Sequence, residues 1–254
     1  MHDVLLTPMT TSRFSFQDFA KVFSLSIGLS VLFVGIFSFF PAAGEFLDGL
    51  HPSISFVIAY VIQLAVLFFP LWFFLVDKKG ATLKDFGFKK IPWVKAVLNT
   101  VGIYCMYIAV ALVIGLIIFY SGWDVPGYGA QESYLPLFGE DWIGISVGAL
   151  FVIFIAPILE EVFFRGFIYR IFIKVWPVWL GSALTAAIFA FMHLQLVNFI
   201  PLFVVGLFMN WSYQRTGSLW TSIGFHMLNN TVAFGVTLYF HYHPELIESL
   251  PNLF

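Results

Sequence analysis

Seven apolar runs, the fifth and sixth short for spanning, separated by connections that hold most of the charge, leave this chain few possible folds. The runs extend from about Lys21 to Phe40, Ile54 to Val76, Ala96 to Tyr120, Trp142 to Phe164 with a helical extension to Val175, Val178 to His193, Phe199 to Tyr213, and Leu219 to Phe240. Crossing a bilayer as a helix takes about 20 residues. Only helices or closed barrels satisfy the backbone in lipid. Barrel strands alternate apolar and polar over about ten residues, whereas these runs are apolar on all faces. The chain is 60% hydrophobic and 10% charged, against about 25% charged in soluble domains. The expected fold is therefore all-α, a polytopic membrane bundle of about seven transmembrane helices, with residues 1–254 as a single integral membrane domain.

Charge narrows the function classes. A net charge of -2 with no basic stripe excludes nucleic acid as a partner. Cys105 is the only cysteine and lies in an apolar run, so there is no disulfide framework. No cleaved signal peptide is expected, because the first run is longer than the ~7–15 residues of a signal core. Lys and Arg are distributed one-sidedly. Arg13 and Lys21 flank the first run, and Lys78, Lys79, Lys84, Lys89, Lys90 and Lys95 fill the second connection. Arg165, Arg170 and Lys174 follow the fourth run, and Arg215 follows the sixth. The alternate connections carry Glu45 and Asp48, then Asp124, Glu132, Glu140 and Asp141, then Glu245 and Glu248. The positive-inside rule puts the N-terminus in the cytoplasm and the C-terminus outside.

Glu160, Glu161 and Arg165 stand where the fourth run passes into its extension. Such groups are costly in lipid unless paired or wet, and each marks a functional hypothesis. Glu161 and Arg165 are four apart and can pair on one helix face. Glu160 points about 100° away from Glu161, free to face a cavity. Downstream, Phe189 and His193 are four apart, as are His226 and Asn230. The fourth and fifth helices should join near Trp176-Pro177, which puts Glu160 and His193 each about 24 Å from the joint, at matching depth. His226 lies about 14 Å past its own joint at Gly217 and meets the others only if that joint sits deeper.

These residues form E-E-x-x-x-R, F-x-x-x-H and H-x-x-x-N patterns, in that order, each within a span. Residues 142–240 thereby resemble the CAAX prenyl protease and bacteriocin-processing family of intramembrane proteases, also called the abortive-infection family. The resemblance implies an intramembrane endopeptidase with a peptide or membrane-protein substrate and the lipid bilayer as its medium. It implies Glu160, His193, His226 and Asn230 as catalytic residues, with Glu161, Arg165 and Phe189 in support. The expected home is a bacterial cytoplasmic membrane, since the chain is short and has no evident sorting signal.

Two chemistries fit these residue types. In one, Glu160 and His193 activate water while His226 and Asn230 stabilise the oxyanion. In the other, Glu160, His193 and His226 hold a divalent metal such as zinc, with a fourth position for water. The H-E-x-x-H helix typical of zinc peptidases is missing. Two other readings stay open: a non-catalytic membrane partner such as a bacteriocin self-immunity protein, and a proton-coupled transporter.

Overall fold

The computed structural model describes residues 12–123, 125–128 and 133–249. Asp124 and Glu132 lie outside them, as does the side chain of Glu248. Helices form over all seven expected runs: α1 (Phe16–Phe39), α2 (Pro41–Asp48), α3 (Pro52–Asp77, its last turn π-helical), α4 (Trp93–Ser121), α5 (Trp142–Val175), α6 (Val178–Met192), α7 (Phe199–Thr216), α8 (Leu219–Tyr242) and α9 (Pro244–Ser249). No strand occurs among the described residues. The chain is an all-α, polytopic helical membrane protein. Among the described residues, five stretches are long and apolar enough to cross a bilayer: Phe16–Phe39, Pro52–Asp77, Trp93–Ser121, Trp142–Val175 and Leu196–Thr216. Helix α6 has only 15 residues. Helix α8 is 24 residues long, but Ser222, His226, Asn229 and Asn230 dilute its apolar character.

Local chemistry sets the helix ends. The Ser15 side chain accepts from the Asp18 N–H while the Asp18 carboxylate accepts from the Ser15 N–H, a reciprocal cap that starts α1. Gly122 and Gly217 adopt left-handed backbone and stop α4 and α7. Trp176 is extended and Pro177 precedes α6, so the joint falls where the sequence places it.

The described residues fall into two compact units. One holds those of Arg13–Leu83 and Ser133–Phe151, the other those of Met1–Ser12, Lys84–Glu132 and Val152–Phe254. In the first, α1 packs on α3, and Phe56 of α3 meets Phe138 and Phe151 at ring separations of 4.2 and 5.4 Å. Asp141 caps α5 by accepting from the Gly144 N–H at 2.7 Å and pairs with His51 at 3.1 Å. In the second, α4 packs on α7 and α8, α6 on α7, and α8 on the Ala156–Glu161 turn of α5. Tyr169, Ile173, Tyr213, Leu219 and Ile223 form a buried core there. Every candidate site residue belongs to this second unit.

Candidate active site

Both glutamates lie on one short α-helical stretch of α5, Ala156–Glu161. Wider π-helical turns flank it, Leu150–Ile155 before and Val162–Tyr169 after. Such turns pair each N–H with the carbonyl five residues back and are frequent at functional sites. Pro157 has no N–H to give the carbonyl five residues back, which is that of Val152. The Asn230 amide of α8 donates to that same carbonyl at 2.9 Å. A side-chain N–H thus does the work a backbone N–H cannot.

Glu161 and Arg165 form an ion pair of 2.8 Å with both side chains fully buried. The guanidinium spends its other donors well. Its Nε donates to Asn210 Oδ1 at 3.0 Å and its Nη2 to the Gly206 carbonyl at 3.1 Å, both on α7. Asn210 in turn donates to the Ser182 carbonyl of α6 at 2.9 Å. A Cβ on Gly206 would press on Ala186 at 3.1 Å, so the helices approach closely there. The Phe189 ring lies 4.8 Å from the Arg165 guanidinium carbon. A charge buried this deeply is tolerable only with such pairing.

The Glu161 oxygen that pairs with Arg165 also accepts from His226 Nδ1 at 3.0 Å. His193 is the C-cap of α6, and its Nδ1 donates to the Phe189 carbonyl at 2.7 Å. A carbonyl can only accept, which fixes the His193 tautomer and leaves Nε2 without that proton. Both imidazoles therefore present Nε2 to one atom. Glu160 Oε2 stands 3.9 Å from His193 Nε2 and 3.8 Å from His226 Nε2. That oxygen is buried and has no hydrogen-bond partner, although the Glu160 side chain as a whole is 31% exposed. The separations are too long for direct hydrogen bonds. Phe189 packs against both rings, with centroids 4.5 Å from His193 and 5.9 Å from His226.

The structure thus brings together Glu160, Glu161, Arg165, Phe189, His193 and His226. Asn230 stands apart from this cluster in its bonding: its Nδ2 serves Val152 and its Oδ1 accepts from Asn229 at 3.4 Å. Asn210, which anchors Arg165, was missed by the sequence reading. Its signal was present, since an asparagine within an apolar helix usually bridges helices. Among the described residues, no group of three or more His, Cys, Asp or Glu side chains is arranged to hold a metal ion.

Comparison with a protein-family model falls on the same region. The type II CAAX prenyl endopeptidase Rce1-like family model matches residues 142–232. An uncharacterized 24.3 kDa protein of Escherichia coli is 31% identical over 142 residues, 53% of this chain and 64% of that relative. The chain therefore spans less than two thirds of the length of the curated relative it matches. No solved structure matches the chain significantly. Residues 142–232, which hold both glutamates, Arg165, both histidines and Asn230, are Rce1-like by sequence, and the resemblance of the chain to the CAAX prenyl protease and bacteriocin-processing family stands.

Proposed function

We propose that the protein is an intramembrane endopeptidase that hydrolyses a peptide bond with a water activated by Glu160. One observation carries the reading: a buried, unpartnered carboxylate oxygen faced by two imidazole nitrogens at 3.8 and 3.9 Å. A water held among those three atoms has acceptors for its protons on each side. Glu160 takes one proton as the water oxygen attacks the scissile carbonyl carbon. The C–N bond then breaks, and the proton passes from Glu160 to the departing amine. His193 steadies the water, oriented by the Phe189 carbonyl behind it.

The oxyanion needs donors. His226 would serve as one after its Nε2 takes the second proton of the attacking water, with Glu161 behind its Nδ1 to balance that charge. Asn230 has a second amide hydrogen beyond the one given to Val152. Arg165 pairs with Glu161 and holds it in place, so it acts through Glu161 and His226. These steps use side chains alone. In the same reading the chain lies in a bacterial cytoplasmic membrane, with the N-terminus in the cytoplasm, and residues 142–240 form the catalytic core of a single domain.

The test compares membranes carrying wild-type protein with membranes carrying Glu160→Gln. A protease leaves uncut substrate accumulating in the variant. An unchanged membrane proteome favours the non-catalytic partner, and a flux defect without uncut substrate favours the transporter. Purified enzyme then sorts the chemistry. Activity lost to a chelator and restored by zinc gives Glu160, His193 and His226 a metal-binding role, while full activity of metal-free enzyme supports the steps above.

A further inference from the structure

A second site lies away from the glutamates, at the basic end of the same unit. A cavity of ≈ 620 Å³ is lined by Lys84, Lys89, Lys90 and Arg170, together with Gly87, Phe88 and Gly217. Among the described residues, no acidic side chain lines it. Arg170 is 8% exposed. Its Nη1 donates to the Tyr213 hydroxyl at 3.0 Å, and its Nε is buried without a hydrogen-bond partner. Among the described residues no carboxylate pairs with Arg170 or with the three lysines. The contrast with Arg165 is direct: one buried arginine is paired with a carboxylate, and the other has no counter-charge among the described residues and a buried Nε without a partner.

The walls are built, not draped. The Gly87 carbonyl accepts from the Leu219 N–H at 2.8 Å, and the Lys89 carbonyl from the Ser218 hydroxyl at 2.6 Å. These bonds tie the lysine loop to the start of α8. Gly87 has φ +96°, and any Cβ there would collide with the Tyr213 hydroxyl that Arg170 holds. Phe88 meets Trp220 edge-on at 5.1 Å, and Trp93 is exposed at the start of α4. Exposed tryptophans of this kind settle at the headgroup level of a bilayer.

We infer that this cavity binds a phosphate group, with the headgroup of an anionic phospholipid as its source. A guanidinium fork matches phosphate oxygens, and lysines add charge around it. Basic pockets between membrane helices are suited to such headgroups. The bound anion would supply the counter-charge that Arg170 lacks.

The experiment uses the full purified chain in nanodiscs of phosphatidylcholine with increasing phosphatidylglycerol, and in detergent with added inorganic phosphate. Thermal stability and tryptophan fluorescence report binding. Phosphatidylglycerol should raise the melting temperature, with affinity falling about fivefold for each lysine removed in Lys84→Gln, Lys89→Gln and Lys90→Gln. A control triple, Lys21→Gln with Lys78→Gln and Lys95→Gln, should keep wild-type affinity. If inorganic phosphate alone gives the same stabilisation, the site is one for free phosphate and the phosphate chemistry holds. If the cavity triple responds like wild type, or the control triple loses as much, the attraction is diffuse surface charge and the site is refuted. Arg170→Gln should lose the response as well; if that variant does not fold, the lysine triple decides alone.

Discussion

At the residue scale, one carboxylate oxygen does two jobs. Glu161 Oε1 receives both Arg165 and His226, so removing either partner disturbs the other. Arg165→Ala is expected to lower abundance as well as cleavage, because breaking a buried pair costs ~3–5 kcal/mol. Normal expression and thermal stability in that variant would mean that the pair contributes little. Glu160→Gln should behave differently. It is nearly isosteric and its Oε2 has no partner to lose, so the protein should insert and purify normally while cleavage disappears. Residual cleavage near wild type would move the base to Glu161. His193→Ala and His226→Ala should each abolish cleavage, and either one combined with Glu160→Gln should be little worse than Glu160→Gln alone, since residues acting as a unit are not additive. Legibility at this scale was uneven. Glu161 with Arg165 could be read from a spacing of four, because a helix fixes that neighbourhood. The approach of His226 could not, since it depends on how α8 crosses the Ala156–Glu161 turn. Asn210 was readable in principle as a lone polar residue in an apolar helix.

At the element scale, α5 is where the sequence pattern and the fold part company. Its apolar run reads as one uninterrupted helix, yet two π-helical stretches bracket the glutamates. Pro157 explains why one junction needs outside help, because it removes a donor from the ladder. No local pattern announces that the replacement comes from Asn230, 78 residues away. This gives a test that separates the two duties of Asn230. Asn230→Ala should lose ~10²–10³ in rate if the amide also serves the oxyanion, and ~1–3 kcal/mol of stability from the unpaired Val152 carbonyl. Adding Pro157→Ala returns a backbone N–H to that carbonyl. Stability should recover in the double variant while cleavage stays low. Recovery of both would show that Asn230 acts only by holding α5.

At the scale of the whole molecule, helix positions were largely legible from hydropathy, because an apolar run longer than about 20 residues has no soluble alternative. The seven runs agree in place with helices α1 and α3 to α8, and the joints at Trp176-Pro177 and Gly217 fall where Trp, Pro and Gly mark them. How many of the helices cross fully was less legible, since α6 is short and α8 is polar along the face that carries His226 and Asn230. Orientation rests on the Lys and Arg distribution, and labelling tests it. A cysteine at Lys84 should resist an impermeant thiol reagent in intact cells and react after lysis. The native Cys105, within α4, should stay unlabelled in intact cells. Strong labelling at Lys84→Cys in intact cells would invert the topology.

The short α6 has a consequence for hydration. Fifteen residues rise only about 22 Å, while the hydrocarbon layer is about 30 Å thick. The helix gives out at His193, and the chain continues through Leu194, which has φ 54°, into the 3₁₀ turn Leu196–Asn198. Peptide groups outside a helix at such depth must meet either protein or solvent. Leu194 and Leu196 are among the exposed apolar residues here, so the segment lies open on one side. If the site hydrolyses a peptide bond as proposed, its water must come from outside the lipid, and the end of α6 is the expected point of entry. Amides from His193 to Gln195 should accordingly exchange with deuterium far faster than those of Phe189 and Ala190 one turn earlier.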